Sequence, residues 1–120
     1  MTGRKRPARG TAFLVRADGF ALVRVQGDAD ENSGAPELAE ALGAALRMGT
    51  ERTVVDLSET EFADSAVLHA LLDARARHER AGVGLVLAGP FRTAVRRLFE
   101  VTGTAGAFTM ATSVEEAAAC

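Results

Sequence analysis

Short β-type apolar runs alternate with helical apolar stripes along most of the chain, and this alternation constrains the fold more than any other feature. Residues 11–15 and 20–25 are two apolar runs separated by Arg16-Ala17-Asp18-Gly19. Asp-Gly between such runs predicts a hairpin, because glycine accepts the positive φ that tight turns need. Residues 27–34 are polar and turn-rich and read as a loop. Pro36 then suits the first turn of a helix, where a missing N–H costs nothing. Leu38, Leu42, Ala45 and Leu46 give that helix a narrow apolar stripe, and Gly49 is its stop. Residues 52–57 read as a short buried strand, and 58–64 as a loop plugged by Phe62.

A second helix is predicted from Asp64 or Ser65 to about Arg80, burying Val67, Leu68, Leu71, Leu72 and Ala76 and ending at Gly82. Residues 83–88 form the next strand, and Gly89-Pro90 a turn. Residues 91–101 form a helix with Val95, Leu98 and Phe99 inward, stopped by Gly103. A short strand over 107–110 precedes Ser113-Val114-Glu115-Glu116, a capping box that opens a C-terminal helix. Strands alternating with helices require parallel pairing through right-handed crossovers. The expected fold is therefore α/β: one domain, with a mixed, mostly parallel sheet of four or five strands, an N-terminal hairpin and about four helices.

Composition narrows the function. The 120 residues are 48% hydrophobic and 25% charged, with no tryptophan or tyrosine. Stacking on nucleic-acid bases would have only phenylalanine to use. Arg4, Lys5, Arg6 and Arg9 lie in the first ten residues, so a net charge of −2 leaves −6 for residues 11–120. An acidic body does not suit direct nucleic-acid binding. Residues 1–10 read as a basic, flexible tail and 11–118 as the domain. The lone cysteine, Cys120, permits no intrachain disulfide. No apolar run is long enough for membrane insertion, and the basic head is not followed by a signal-peptide core, so the expected setting is cytoplasmic.

Catalytic signatures are missing. Neither a Walker phosphate loop nor a GxGxxG is present. His69 and His78 lie on roughly opposite sides of one helix, not at the i, i+4 spacing of a metal pair, and both read as surface or helix-edge residues. No metal or other cofactor is expected. Asp28, Asp30, Asp56, Glu61 and Asp64 fall at or just after predicted strand ends, where sites form in parallel sheets. That acidic rim leaves open a small enzyme, which requires Asp28, Asp30 and Asp64 to converge in a deep pocket.

Asp64-Ser65 stands between a loop and an apolar helix, and both are favoured N-cap types. Its context is more specific. Residues 54–68, Val-Val-Asp-Leu-Ser-Glu-Thr-Glu-Phe-Ala-Asp-Ser-Ala-Val-Leu, resemble the central motif of the STAS family, that of bacterial anti-sigma factor antagonists. Gly27-Asp28-Ala29-Asp30 is similar to that family's Gly-Glu-Leu-Asp. Residues 90–103 are similar to its third-helix segment, where a Val-(Lys/Arg)-Arg-Leu-Phe run precedes glycine. The family often reads Asp-Ser-Ser/Thr-Gly-Leu-Gly where this chain has Asp64-Ser65-Ala66-Val67-Leu68-His69.

The resemblance implies a non-catalytic binder that engages an anti-sigma factor, itself a serine kinase, and so frees a sigma factor. The kinase then phosphorylates the serine and a serine phosphatase restores it. Carried over, Ser65 is the phosphoacceptor, and Asp28, Asp30, Asp64, Ser65, Ala66 and His69 form the partner-binding surface. A phosphate adds about −1.5 to −2 charges. At a helix N-terminus it is tolerated by the helix itself, so it would break a contact without unfolding the domain. STAS domains also occur in lipid-transport and stress-signalling complexes, which makes a constitutively bound subunit the alternative.

Overall fold

The computed structural model describes residues 9–120. Five strands and four helices follow in the order β1 (Thr11–Arg16), β2 (Ala21–Ala29), α1 (Ala35–Arg47), β3 (Arg52–Ala63), α2 (Ser65–Ala81), β4 (Gly84–Ala88), α3 (Thr93–Thr102), β5 (Thr109–Ala111) and α4 (Val114–Ala119). One 3-10 turn, Ala105–Ala107, precedes β5. The sheet runs β1-β2-β3-β4-β5. β1 and β2 pair antiparallel across the Asp18-Gly19 turn, and the remaining pairs are parallel. The α/β expectation, with its N-terminal hairpin and four helices, therefore holds.

The sheet divides the interior in two. The larger core sets Leu38 and Leu42 of α1, Leu71 of α2 and Phe99 of α3 against Val55 and Leu57. Each such side chain contributes about 1.5–3 kcal/mol when fully withdrawn from water. On the opposite face a smaller cluster packs Leu22, Val54 and Val86 beneath Ala117 of α4. Helix ends follow ordinary chemistry: Gly82 and Gly103 adopt the left-handed conformation after α2 and α3.

Several expected boundaries move. β2 continues to Ala29, so Asp28 belongs to a strand rather than a loop. β3 continues to Ala63, absorbing the segment expected to be a loop. Its polar letters obscure this, and two register shifts against β2 break the period of two. Thr60 is buried and donates its hydroxyl to the Val25 carbonyl (2.7 Å), while Gln26 Nε2 donates to Glu59 Oε1 (2.5 Å). Phe62 is 47% exposed and plugs nothing. Asp56 and Glu61 lie inside β3 rather than after a strand end, and Asp56 pairs with Arg24 at 3.6 Å.

Within α2, Ala74 and His78 are buried where Leu72 and Ala76 are only partly so. α3 starts at Thr93, after a cis Gly89–Pro90 bond. The C-terminal capping box forms by half. Ser113 Oγ accepts from the Glu116 N–H (3.1 Å), but the Glu116 carboxylate accepts from the Thr112 N–H (2.5 Å).

The expected flexible tail over 1–10 lies mostly outside the described residues. Its last two members belong to the fold. The backbone of Arg9 forms an isolated parallel β-bridge with that of Asp28, and Gly10 is buried with its N–H donating to Ser33 Oγ (3.3 Å). A Cβ on Gly10 would stand 2.6 Å from Ala29 Cα and 2.6 Å from the Asp28 carbonyl oxygen, so only glycine fits this close backbone approach.

Candidate functional site

The β2–α1 connection and the start of α2 meet at the C-terminal ends of β2 and β3. Asp64 joins them. Its backbone is extended (φ −105°, ψ −173°) and it caps α2, with Oδ1 accepting from the N–H groups of Ala66 (2.9 Å) and Val67 (3.2 Å). Its other oxygen, Oδ2, accepts from the Glu31 N–H (3.1 Å), and its own N–H donates to the Ala29 carbonyl (3.2 Å). One aspartate thus satisfies orphan helix donors and ties the neighbouring loop to the helix.

Asp30 shapes that loop. Its Oδ1 accepts from the N–H groups of Asn32 and Ser33, both at 2.9 Å. Its carbonyl accepts from Ser33 and Ala35 (both 3.2 Å). Asp28 sits half-buried on β2 opposite Phe62. The three aspartates do not converge in a deep pocket. Asp30 and Asp64 direct their oxygens to backbone donors, and none of the three lines the adjoining groove. Among the described residues, no group of three or more His, Cys, Asp or Glu side chains is placed to hold a metal ion.

Ser65 is the first residue of α2 and is exposed. Because Asp64 performs the capping, no hydrogen bond engages the Ser65 hydroxyl among the described residues. It stands at the mouth of an open groove between α1 and α2, together with Ala66, His69 and Asp73 of α2, and with Glu31 and Pro36 across from them. Ser65, His69 and Asp73 follow at i, i+4 and i+8, so they share one face of α2. The expected site residues Ser65, Ala66 and His69 are therefore brought together, Asp64 lies beneath them, and Asp28 and Asp30 stand apart from the groove.

Sequence reasoning missed Glu31, Pro36 and Asp73 in this groove. The helical spacing from Ser65 marks Asp73, but only tertiary structure brings α1 alongside. The reading of His69 as a surface residue holds, whereas that of His78 does not. His78 is 1% exposed, with Nδ1–H donating to the Ala74 carbonyl (2.8 Å) and Nε2 accepting from the Thr53 hydroxyl (2.9 Å). A carbonyl only accepts, which fixes the tautomer. Burial pulls the imidazole below its ordinary titration range, and the Ala74 carbonyl partly opposes this.

A mixed sheet with an N-terminal hairpin and four helices defines a single α/β domain, and an aspartate cap leaves the adjacent serine exposed. The chain belongs to the STAS-domain family: the family model described as Mlab, STAS domain, matches residues 13–112. No curated protein matches it. Among solved structures it is similar to an anti-sigma factor antagonist from Mycobacterium paratuberculosis, at 28% identity over 92% of each chain, with a TM-score of 0.78. RsbS S58E of Moorella thermoacetica shares the fold at 18% identity, over 90% of this chain and 92% of the other, with a TM-score of 0.73. The anti-sigma factor antagonist SpoIIAA, in its unphosphorylated form, does so at 18% identity, over 87% and 90%, with a TM-score of 0.70. The Bacillus SpoIIAA in its phosphorylated form also matches, at 17% identity over 87% and 94%, with a TM-score of 0.65.

Proposed function

We propose that this protein is an anti-sigma factor antagonist. It binds an anti-sigma factor that is also a serine kinase, through the surface around Ser65, and phosphorylation of Ser65 ends that contact. One observation carries the reading: Asp64 caps α2, so the adjacent Ser65 hydroxyl is exposed and uncommitted at the mouth of a groove. Similarity at 28% identity to an anti-sigma factor antagonist supports the same role.

The charge logic is consistent with a switch. A phosphate on Ser65 would sit at the N-terminus of a 17-residue helix, where the helix dipole favours an anion. The fold would tolerate it. A partner surface packed against Glu31, Asp73 and Ser65 would meet a new dianion and lose affinity. A serine phosphatase completes the cycle.

Intact-mass analysis after incubation with candidate kinases and ATP tests the switch, with Ser65→Ala as control. A phosphate adduct absent from the control is the expected result. Unmodified protein across the set, together with no capture of an anti-sigma factor, would remove the reading.

The alternative is a STAS subunit bound constitutively within a lipid-transport or stress-signalling complex. What favours it is the matching family model, described as Mlab. Co-purification with a transporter ATPase instead of an anti-sigma factor would select it.

A further inference from the structure

The outer edge of β1 is unpaired among the described residues. It is six residues long, contains no proline and carries its only charge at Arg16, the last position. Edges of this kind are templates for another strand, and proteins usually blunt them with proline, charge or a covering element. Here Phe13 and Val15, paired with Arg24 and Leu22 on the face that carries α4, remain 40% and 37% exposed at the sheet edge. The opposite edge strand, β5, has three residues and offers far less.

On the other side of the sheet, α1 runs beside β1. Glu37, Glu40, Ala44 and Arg47 of the helix, with Phe13 and Leu14 of the strand, line a groove along this edge. The charges are ordered. Both glutamates lie in the N-terminal half and Arg47 is the last helical residue, with small Ala44 between them. Glu37 accepts from the Gly34 N–H (2.7 Å), while Glu40 and Arg47 make no ion pair among the described residues.

We propose that this edge is a two-fold interface with a second copy of the same chain, in which the two β1 strands pair antiparallel and the two α1 helices pack beside each other. The order of charge selects this occupant. A two-fold axis reverses the neighbouring helix, so Arg47 of each copy meets Glu37 and Glu40 of the other, twice over. A strand spacing of about 4.8 Å brings helices seated over β1 and β2 to roughly the 8–10 Å at which helices pack, with Ala44 permitting the approach. The two sheets become one, and Phe13 and Val15 of both copies form a continuous stripe. The Ser65 groove lies on the α2 side of α1 and stays open, so the interface does not depend on the proposed function.

Sedimentation of the full chain over a wide concentration range tests this. The expected result is a monomer–dimer equilibrium. Arg47→Glu, checked for folding by circular dichroism, weakens it by about tenfold, because attraction becomes repulsion at two symmetric places. Adding Glu40→Arg to that variant restores the dimer, and amide exchange over residues 12–16 slows as concentration rises. A monomer at every concentration, a dimer indifferent to Arg47→Glu, or no restoration in the double variant would each overturn the interface.

Discussion

Asp64 and Ser65 are neighbours with opposite relations to the fold. Asp64 accepts three backbone hydrogen bonds, two from α2 and one from Glu31. Ser65 contributes a hydroxyl that makes no hydrogen bond among the described residues. Asp64→Ala is therefore expected to cost about 1–2 kcal/mol in urea denaturation. Ser65→Ala should stay within about 0.5 kcal/mol of wild type. Equal losses in the two variants would contradict this division. His78 supplies a second residue-scale prediction. Its titration lies below the ordinary histidine value of 6.5 because burial disfavours the charged ring. A depressed pKa means that its contribution is fully present above about pH 6.5 and is lost as pH falls through the folded value. Between pH 7 and 5 the wild type should lose more thermal stability than His78→Gln, which cannot take up the proton. Parallel melting curves across that window would refute the assignment.

At the scale of elements, β3 is the main departure from the sequence reading. Polar residues 58–61 suggest a loop, yet they pair with the end of β2 through two bulges. A bulged strand with one solvated face does not alternate cleanly, so periodicity cannot find it. The same extension leaves Phe62 in water, whereas Phe99 of α3 is buried in the core. Phe62→Ala should change stability by less than about 0.5 kcal/mol, whereas Phe99→Ala should cost about 3–5 kcal/mol in denaturant titration. Gly10 links the start of β1 to the site loop. Gly10→Ala forces backbone apart at Ala29 and Asp28 and should cost about 1–3 kcal/mol. Amide resonances of residues 28–33 should shift with it; unmoved resonances would show that the close approach does not shape the loop.

For the molecule as a whole, the proposed switch requires that charge at Ser65 spare the fold. Ser65→Asp places an anion at the first position of α2 without a kinase. Its thermal stability should match wild type to within about 1 kcal/mol, since the helix N-terminus favours negative charge. Its affinity for an anti-sigma factor should fall, as read by titration calorimetry. An unfolded variant would place Ser65 in a structural role, and undiminished affinity would separate the partner surface from this serine.

The sequence by itself determined the order of elements, the hairpin turn, most helix ends and the STAS resemblance, because local propensity and hydrophobic period are written residue by residue. It also marked Ser65 and His69 as candidate site residues on the second helix, but not Asp73 one turn further on. Tertiary structure decided which oxygen caps α2, that His78 faces Thr53 across the core, and that α1 completes the groove beside Ser65. Those facts depend on residues far apart in the chain, such as Glu31 and Asp64, whose pairing exists only once β2 and β3 lie side by side. The same holds for the free edge of β1: six residues announce a strand, but only the completed sheet shows that nothing among the described residues covers it.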